Sequence, residues 1–321
     1  MVRVALVGIG DAGKHHARAL LGGKVPDAEL AAMVVRDPAK GAAFRTTLPV
    51  PSGTREFPSL EALLAARACD AVVLATPDGA HPEQVEQVAA HGLPVLVEKP
   101  LALTAEAGAK AIDAAQRANV HLQVGYQLRY HPAHRRMLDE HIGVLRTIYL
   151  RWAWPDPAVD GWRAQGRGAR FWSLAALGTH CIDLALLFGG ALPEKRRVAA
   201  ILEPTSGIDH AAEMSFELGN GATAHVSVAI THRAVSRLVV TGDAGELEAL
   251  GTLGARGEGE LWRRPPRGPA VALPFEPESP YVSQLRDFVE RAGSGFTADP
   301  ALLDNLTLLD DVATAATTEI A

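Results

Sequence analysis

Gly8-Ile9-Gly10-Asp11-Ala12-Gly13 lies between an apolar run and a helical one, a spacing suited to holding a diphosphate. The first glycine permits a tight turn. The second lets the backbone approach a pyrophosphate, and the third lets a helix pack closely on a strand. The unpaired N–H groups and dipole of the helix N-terminus then face the phosphates. Gly8, Gly10, Asp11, Ala12 and Gly13 are therefore candidate dinucleotide contacts. An acid for the ribose hydroxyls is expected about 20 residues further on. That region reads Val34-Val35-Arg36-Asp37-Pro38. A guanidinium at Arg36 suits a bidentate grip on a 2′-phosphate, which favours NADP. The alternative is that Asp37 reaches the ribose and the cofactor is NAD. A second chemical position is Lys99, in Glu98-Lys99-Pro100, at the end of an apolar run. Open parallel sheets place ligands beyond such strand ends. An ammonium there polarises a carbonyl or stabilises an alkoxide. Only six of the 31 basic residues are lysines. Arginine cannot give up its proton, so a lysine at 99 in so arginine-rich a chain points to chemistry. The alternative is a lysine snorkelling at a strand end.

These residues need a scaffold of alternating strands and helices, and the first half supplies one. Residues 2–8, 29–35, 70–76, 94–98 and 121–126 read as buried strands. Helical runs lie between them at 13–22, after Ser59 as cap, from His81-Pro82 to Gly92, and from Thr104 to about Asn119. Such alternation builds a parallel sheet covered on both faces.

The pattern changes near residue 145. Residues 146–154 alternate, with Ile148, Leu150, Trp152 and Trp154 on one face; residues 210–218 alternate likewise. Asn220-Gly221 is a hairpin signal between that run and 222–231, and another strand follows at 235–241. This predicts a second domain with an antiparallel sheet. The stretches 155–170 and 252–278, rich in Gly, Pro and Arg, read as loops, and 281–292 and 301–318 as helices.

Further motifs sit at strand ends and in the second half. Ala75-Thr76-Pro77 precedes His81; Gly125-Tyr126-Gln127-Leu128-Arg129-Tyr130-His131-Pro132 begins at the end of the 121–126 run; Gly178-Thr179-His180-Cys181-Ile182-Asp183 lies in an apolar helical run. In this order, with Glu98-Lys99-Pro100, they resemble the glucose–fructose oxidoreductase/inositol dehydrogenase/rhizopine-catabolism (Gfo/Idh/MocA) family over nearly the whole chain. The resemblance implies an α/β protein. A Rossmann domain with a doubly wound parallel sheet would span 1–122. An α+β domain with an open, mostly antiparallel sheet would span 123–321, its C-terminal helix docking back on the first domain. It also implies hydride exchange between NADP or NAD and a sugar, cyclitol or related hydroxy/oxo compound, in a homodimer or homotetramer packed through open sheets.

The resemblance places Thr76, Pro77, His81, Glu98 and Lys99 beside the cofactor, and His180 with Lys99 as the proton-handling pair. Imidazole suits that work because its ordinary pKa is close to neutrality. Asp183, one helical turn on, either orients His180 or binds substrate, or else serves helix packing. Tyr126, Gln127 and Arg129 fall at the ligand edge, though Arg129 has the alternative of pairing with an acid. Trp154, Arg163 and Trp172 are candidates for the sugar face, with core or oligomer packing as the alternative for the two tryptophans. Two positions depart from the family pattern: Ala176 stands where an Asp precedes the His, and Leu128 where an Arg is common. His15 and His16 read as solvated, and His121, His131 and His134 have no evident partner.

Composition narrows the classes. The 321 residues carry 31 basic and 37 acidic side chains, a formal charge of −6, with no basic run; this excludes the footprint of a nucleic-acid binder. No apolar run reaches the roughly 18 residues of a membrane span, and the N-terminus has no signal-peptide pattern. Two cysteines make neither a disulfide framework nor a cysteine metal site, and His180-x-x-Asp183 alone makes no metal centre. The expectation is a cytoplasmic oxidoreductase. A ketoreductase of a modified or nucleotide-linked sugar, and a non-catalytic dinucleotide sensor, are the competing readings.

Overall fold

The computed structural model describes residues 1–155, 161–163, 168–203 and 208–318. The chain divides into two units: Met1–Gly125 with Tyr281–Asp299, and Tyr126–Pro280 with Pro300–Ala321.

The first unit is built on six strands: β1 (Val2–Val7), β2 (Ala28–Val34), β3 (Arg55–Phe57), β4 (Ala71–Leu74), β5 (Val95–Val97) and β6 (Leu122–Val124). They run parallel in the order β3-β2-β1-β4-β5-β6. That is the doubly wound order, which reverses between β1 and β4. The central strands are apolar throughout because both faces are covered; Val4–Leu6, Ala71–Leu74 and Val95–Val97 have no exposed surface. Helices α1 (Asp11–Leu21), α2 (Pro38–Thr47), α3 (Leu60–Ala65), α4 (His81–Ala90) and α5 (Ala105–Arg117) form the crossovers. Side-chain caps start three of them. Asp37, Ser59 and Thr104 accept the amides of Ala39, Ala62 and Ala107 at 2.9, 3.1 and 3.2 Å, each cap contributing about 1 kcal/mol. The segment Tyr281–Asp299 covers the β6 edge. Leu122 N–H donates to the Thr297 carbonyl at 3.0 Å, and Gln284 Nε2 to the Val124 carbonyl at 3.1 Å. An edge strand left open would present those groups to other chains.

In the second unit a short helix α6 (Pro132–Leu138) and the inner helix α7 (Thr179–Gly189) accompany eight strands. The strands are β7 (Leu145–Ala153), β8 (Val198–Glu203), β9 (Ala211–Glu217), β10 (Thr223–Ala229), β11 (Arg237–Gly242), β12 (Gly245–Leu250), β13 (Glu260–Arg264) and β14 (Val271–Ala272). Their order is β14-β13-β12-β11-β7-β10-β9-β8. Only β7 and β10 pair in parallel; the other neighbours are antiparallel. Gly221, at φ +83°, closes the β9–β10 hairpin, and Asn220 Oδ1 accepts the Ala222 amide at 3.0 Å. One face is buried through Ile148, Leu150, Met214, Phe216, Val226 and Val228, with α7 packed on β7 and β10.

Two expectations change. The stretch 252–278, read as loop, contains β13 and β14. β13 pairs with β12 on one side and β14 on the other, tied by Arg264 to the buried Glu248, which also takes Arg237 at 2.5 Å. The segment that joins the first unit is Tyr281–Asp299, carrying α8 (Pro280–Arg291) over most of its length, while the last helix, α9 (Leu302–Thr318), lies with the second unit and packs on β8. Much of 155–170 lies outside the described residues; the described part carries no helix or strand.

Candidate active site

In the first unit, the glycine loop joins β1 to α1 at the point where the strand order reverses. Gly8 has φ +99°, and a Cβ added to it would lie 2.2 Å from the Ala75 carbonyl oxygen, so the turn meets the β4 end backbone to backbone. A Cβ at Gly13 would lie 2.1 Å from the Gly8 carbonyl, which seats α1 directly on the loop. At Gly10, by contrast, an added Cβ meets nothing within 4 Å. Two glycines are thus required by the protein itself. The third leaves open space at a helix N-terminus, which is the room a diphosphate needs. Asp11 is exposed and takes Lys14 Nζ at 2.8 Å. Arg36 is exposed, and no acid among the described residues pairs with it; Asp37 caps α2.

At the β4 and β5 ends the side chains turn inward. Thr76 Oγ1 donates to Gln84 Oε1 at 2.5 Å, and Pro77 leads into the buried Asp78. His81 is fully buried, its Nδ1 2.8 Å from the Pro100 carbonyl and its Nε2 2.9 Å from the Thr76 carbonyl. It ties the Thr76 turn to the Lys99 turn. Lys99 itself is half-buried, and its peptide to Pro100 is cis. Glu98 is buried. Its Oε1 meets His16 Nε2 at 2.8 Å and its Oε2 accepts the Lys99 amide at 3.2 Å. Burial on its own raises this carboxyl. The hydrogen bond and charge of His16, with the charge of Lys99, outweigh burial and hold it below the ordinary carboxylate range.

His16 was expected to be solvated and is instead wholly buried, with the Tyr281 ring edge-on at 5.1 Å. Its place on the inner face of α1, one turn after Gly13 and beside Ala17 and Leu20, is the signal that would have revealed it. His15 is half-buried and stacks on Tyr281 at 4.8 Å, and burial pulls its pKa down.

In the second unit Tyr126, Arg129 and Asp183 come together with His180 around the start of α7. A π-turn, Leu174–Gly178, precedes the helix and contains Ala176. Asp209 anchors its entry, accepting the amides of Trp172 and Leu174 at 2.6 and 2.9 Å and the Ser173 hydroxyl. His180 follows, 3% exposed, with the Tyr126 ring edge-on at 6.1 Å and Trp152 at 5.8 Å. Tyr126 donates to Thr179 Oγ1 at 3.1 Å, which in turn donates to Asn305 Oδ1 at 2.9 Å. Arg129 Nε donates to both oxygens of Asp183, at 2.8 and 2.7 Å, so the two substrate candidates form a buried ion pair. Gln127 is buried, its Oε1 without a hydrogen-bond partner among the described residues. Trp172 is buried against His210. Trp154 is 50% exposed with the Arg233 guanidinium 4.0 Å over its ring, and Arg163 lies over Trp162 at 4.4 Å.

The three histidines without an evident partner all have one. His121 Nδ1 meets Thr297, His131 Nε2 donates to the Glu258 carbonyl at 3.2 Å, and His134 bridges the Leu128 carbonyl and Thr252 Oγ1. Among the described residues no cluster of three His, Cys, Asp or Glu is placed to hold a metal ion, and no helix is long and apolar enough to cross a membrane.

Comparison with known proteins gives the family. Residues 2–126 match the oxidoreductase family with an NAD-binding Rossmann fold, and residues 130–248 match the GFO/IDH/MocA C-terminal domain. The chain is 33% identical over 301 residues to the rhizopine catabolism protein MocA of Rhizobium meliloti, covering 91% of this chain and 87% of that protein. It is 30% identical over 230 residues to D-xylose 1-dehydrogenase (NADP(+)) 2 of Haloferax volcanii, covering 69% and 68%. In fold it is similar to the 3-ketoreductase KijD10 of Actinomadura kijaniata, solved with NADP and TDP-benzene (TM-score 0.83, 23% identity, 98% and 97% covered). The glycine-loop clearances, the Lys99 turn and the two matched domains together make this chain a member of the Gfo/Idh/MocA family of oxidoreductases.

Proposed function

We propose that the protein exchanges a hydride between a nicotinamide dinucleotide, NADP in preference to NAD, and a secondary alcohol or ketone of a sugar, cyclitol or related compound. The observation that carries the proposal is Lys99 at the carboxyl end of β5, in a unit whose β1–α1 turn has the clearances of a dinucleotide loop. A nicotinamide bound there supplies a two-electron hydride acceptor or donor. In oxidation, the substrate hydroxyl releases its proton to a base as hydride leaves the same carbon. In reduction, the same group returns that proton to the developing alkoxide. We assign this proton work to Lys99 and His180, with the Lys99 ammonium stabilising negative charge on the substrate oxygen. Glu98 and His81 act behind Lys99. Arg36, exposed and without an acid partner among the described residues, grips the 2′-phosphate, and Thr76 and Pro77 shape the cofactor edge. Tyr126, Gln127, Arg129 and Asp183, with Trp154, Arg163 and Trp172, are assigned to substrate; the polyol-like and nucleotide-linked compounds named for relatives support that class. The protein is assigned a cytoplasmic location, which its two free, buried thiols suit, and a homodimer or homotetramer. The open face of the eight-stranded sheet, bearing the exposed Tyr149 and Ile201, would form the interface.

The test is a panel of sugars, cyclitols and oxo-sugars run in both directions with both cofactors, using the parent protein and K99M. The expected result is turnover by the parent, a loss of about 10²–10⁴-fold in K99M, and NADPH binding within threefold of the parent. Retained turnover in K99M would overturn the assignment. Binding without turnover of any member would favour the sensor reading.

A further inference from the structure

Lys99 has no strand of its own to hold it, since β5 ends at Val97. What stands directly behind it is a pair of buried polar side chains from two different elements. Glu98 Oε2 accepts the Lys99 amide at 3.2 Å, and Glu98 Oε1 meets His16 Nε2 at 2.8 Å. The two side chains are 6% and 0% exposed. Gly125 leaves the room that Glu98 fills: a Cβ there would lie 3.0 Å from its Cδ and Oε2. His16 is fixed in turn by α1, which Gly13 seats against the Gly8 carbonyl, and by the edge-on ring of Tyr281. His16 Nδ1 is buried with no hydrogen-bond partner among the described residues. The bond to Glu98 is therefore the polar anchor of this ring, and the fold tolerates an orphaned nitrogen to keep it. Buried unsatisfied groups of this kind ask for a reason beyond packing.

We propose that His16 and Glu98 are positioning residues for Lys99, linking the helix of the glycine loop to the backbone of the Lys99 turn and so setting the direction of the ammonium. Neither side chain touches cofactor or substrate in this role. The proposal rests on the assignment of Lys99 made above. Removing the Nε2–H donor while keeping an apolar filler leaves the Glu98 carboxylate without its buried partner and frees the Lys99 turn. Restoring a donor at the same point should restore the turn. Glutamine does this, because its Nε2 reaches the position of the imidazole Nε2.

The experiment uses full-length H16L, H16Q, E98A and K99M with [13C]lysine labelling. Six lysines give six side-chain signals, and K99R identifies that of Lys99. In H16L, kcat should fall at least tenfold, NADPH affinity should stay within threefold, and the Lys99 Cε signal of the cofactor-free protein should move. In H16Q both kcat and signal should return close to the parent's. E98A cuts the same link from the other side and should match H16L; should H16L not fold, E98A decides by the same two readouts. Folded H16L or E98A with parental kcat, or with an unmoved Lys99 signal, would overturn the proposal, as would an H16Q that behaves like H16L. If K99M retains turnover, the assignment of Lys99 fails on its own, and the signal alone decides whether the pair positions that side chain.

Discussion

Gly8 and Gly10 belong to one motif, yet alanine should do different things at each. At Gly8 the new Cβ would sit 2.2 Å from the Ala75 carbonyl oxygen and 2.5 Å from its carbon, with φ at +99°. Ala75 cannot step aside cheaply, because its amide donates to the Val7 carbonyl at 2.7 Å, within the β1–β4 pairing. A non-glycine residue in such backbone costs about 1–3 kcal/mol, and forcing extra volume into a packed place about 1–3 kcal/mol more. G8A should therefore lose about 2–6 kcal/mol, a large share of the roughly 5–15 kcal/mol of a typical domain. At Gly10 the backbone is φ −74°, ψ −164°, and an added Cβ touches nothing within 4 Å. G10A should match the parent's stability within about 1 kcal/mol. Its methyl group instead occupies the space assigned to the pyrophosphate, so dinucleotide affinity should drop at least tenfold. Urea unfolding followed by circular dichroism gives the stability. Tryptophan emission would miss the effect, because all five tryptophans (152, 154, 162, 172 and 262) lie in the second unit. Titration with NADPH and NADH gives the affinity. A G10A protein that binds both cofactors as tightly as the parent, or a G8A protein as stable as the parent, would refute the roles given to these two glycines.

Three further outcomes are expected. R36A should weaken NADPH binding about tenfold or more, the value of a charge-assisted contact, and leave NADH within threefold; equal losses for both would remove the 2′-phosphate role. Burial lowers His131 to about 4 and His134 to about 3. Both are neutral when folded, while in the unfolded chain they take up protons below about 6.5. Stability is thus full above pH 6.5 and falls as pH drops toward 4, by about 2.7 kcal/mol per pH unit for the pair. H131N keeps an acceptor for the Ala133 amide, cannot titrate, and should halve that slope in urea titrations run from pH 7 to 4.5. R129M takes the guanidinium from the Asp183 carboxylate, whose side chain is 2% exposed, and should cost about 3–5 kcal/mol. Tryptophan-monitored unfolding reads this directly, and adding D183N should recover part of the loss.

The parts of the fold legible beforehand are those with a local signal. β1, β4 and β5 are continuous apolar runs because they are covered on both faces, and Ser59, Thr104 and Pro82 mark helix starts through backbone chemistry within a few residues. The parallel pairing of β7 with β10 was not legible, since an alternating strand carries no record of its neighbour's direction. β13 reads Glu-Leu-Trp-Arg-Arg, and its pairing with β12 and β14, with Arg264 on Glu248, makes it a strand. At the site, the glycine loop and the Lys99 turn were visible as motifs. The buried partners behind them were not: His16 and Glu98 are 82 residues apart, and nothing local to either announces the other. Only the inward phase of His16 on α1, shared with Gly13, Ala17 and Leu20, carried a hint.

The return of Tyr281–Asp299 to the first sheet makes the dinucleotide unit discontinuous along the gene. A fragment stopping at residue 125 would keep every glycine of the loop and Lys99, yet would bare the amide of Leu122 and the carbonyl of Val124. Such a fragment should stick to itself through that naked border. Splicing residue 125 to residue 281 through a few flexible residues is the more promising route to a minimal cofactor-binding module, because Gln284 already reaches the end of β6. The intervening residues then become an exchangeable cassette, one that could be swapped for another without redrawing the coenzyme platform.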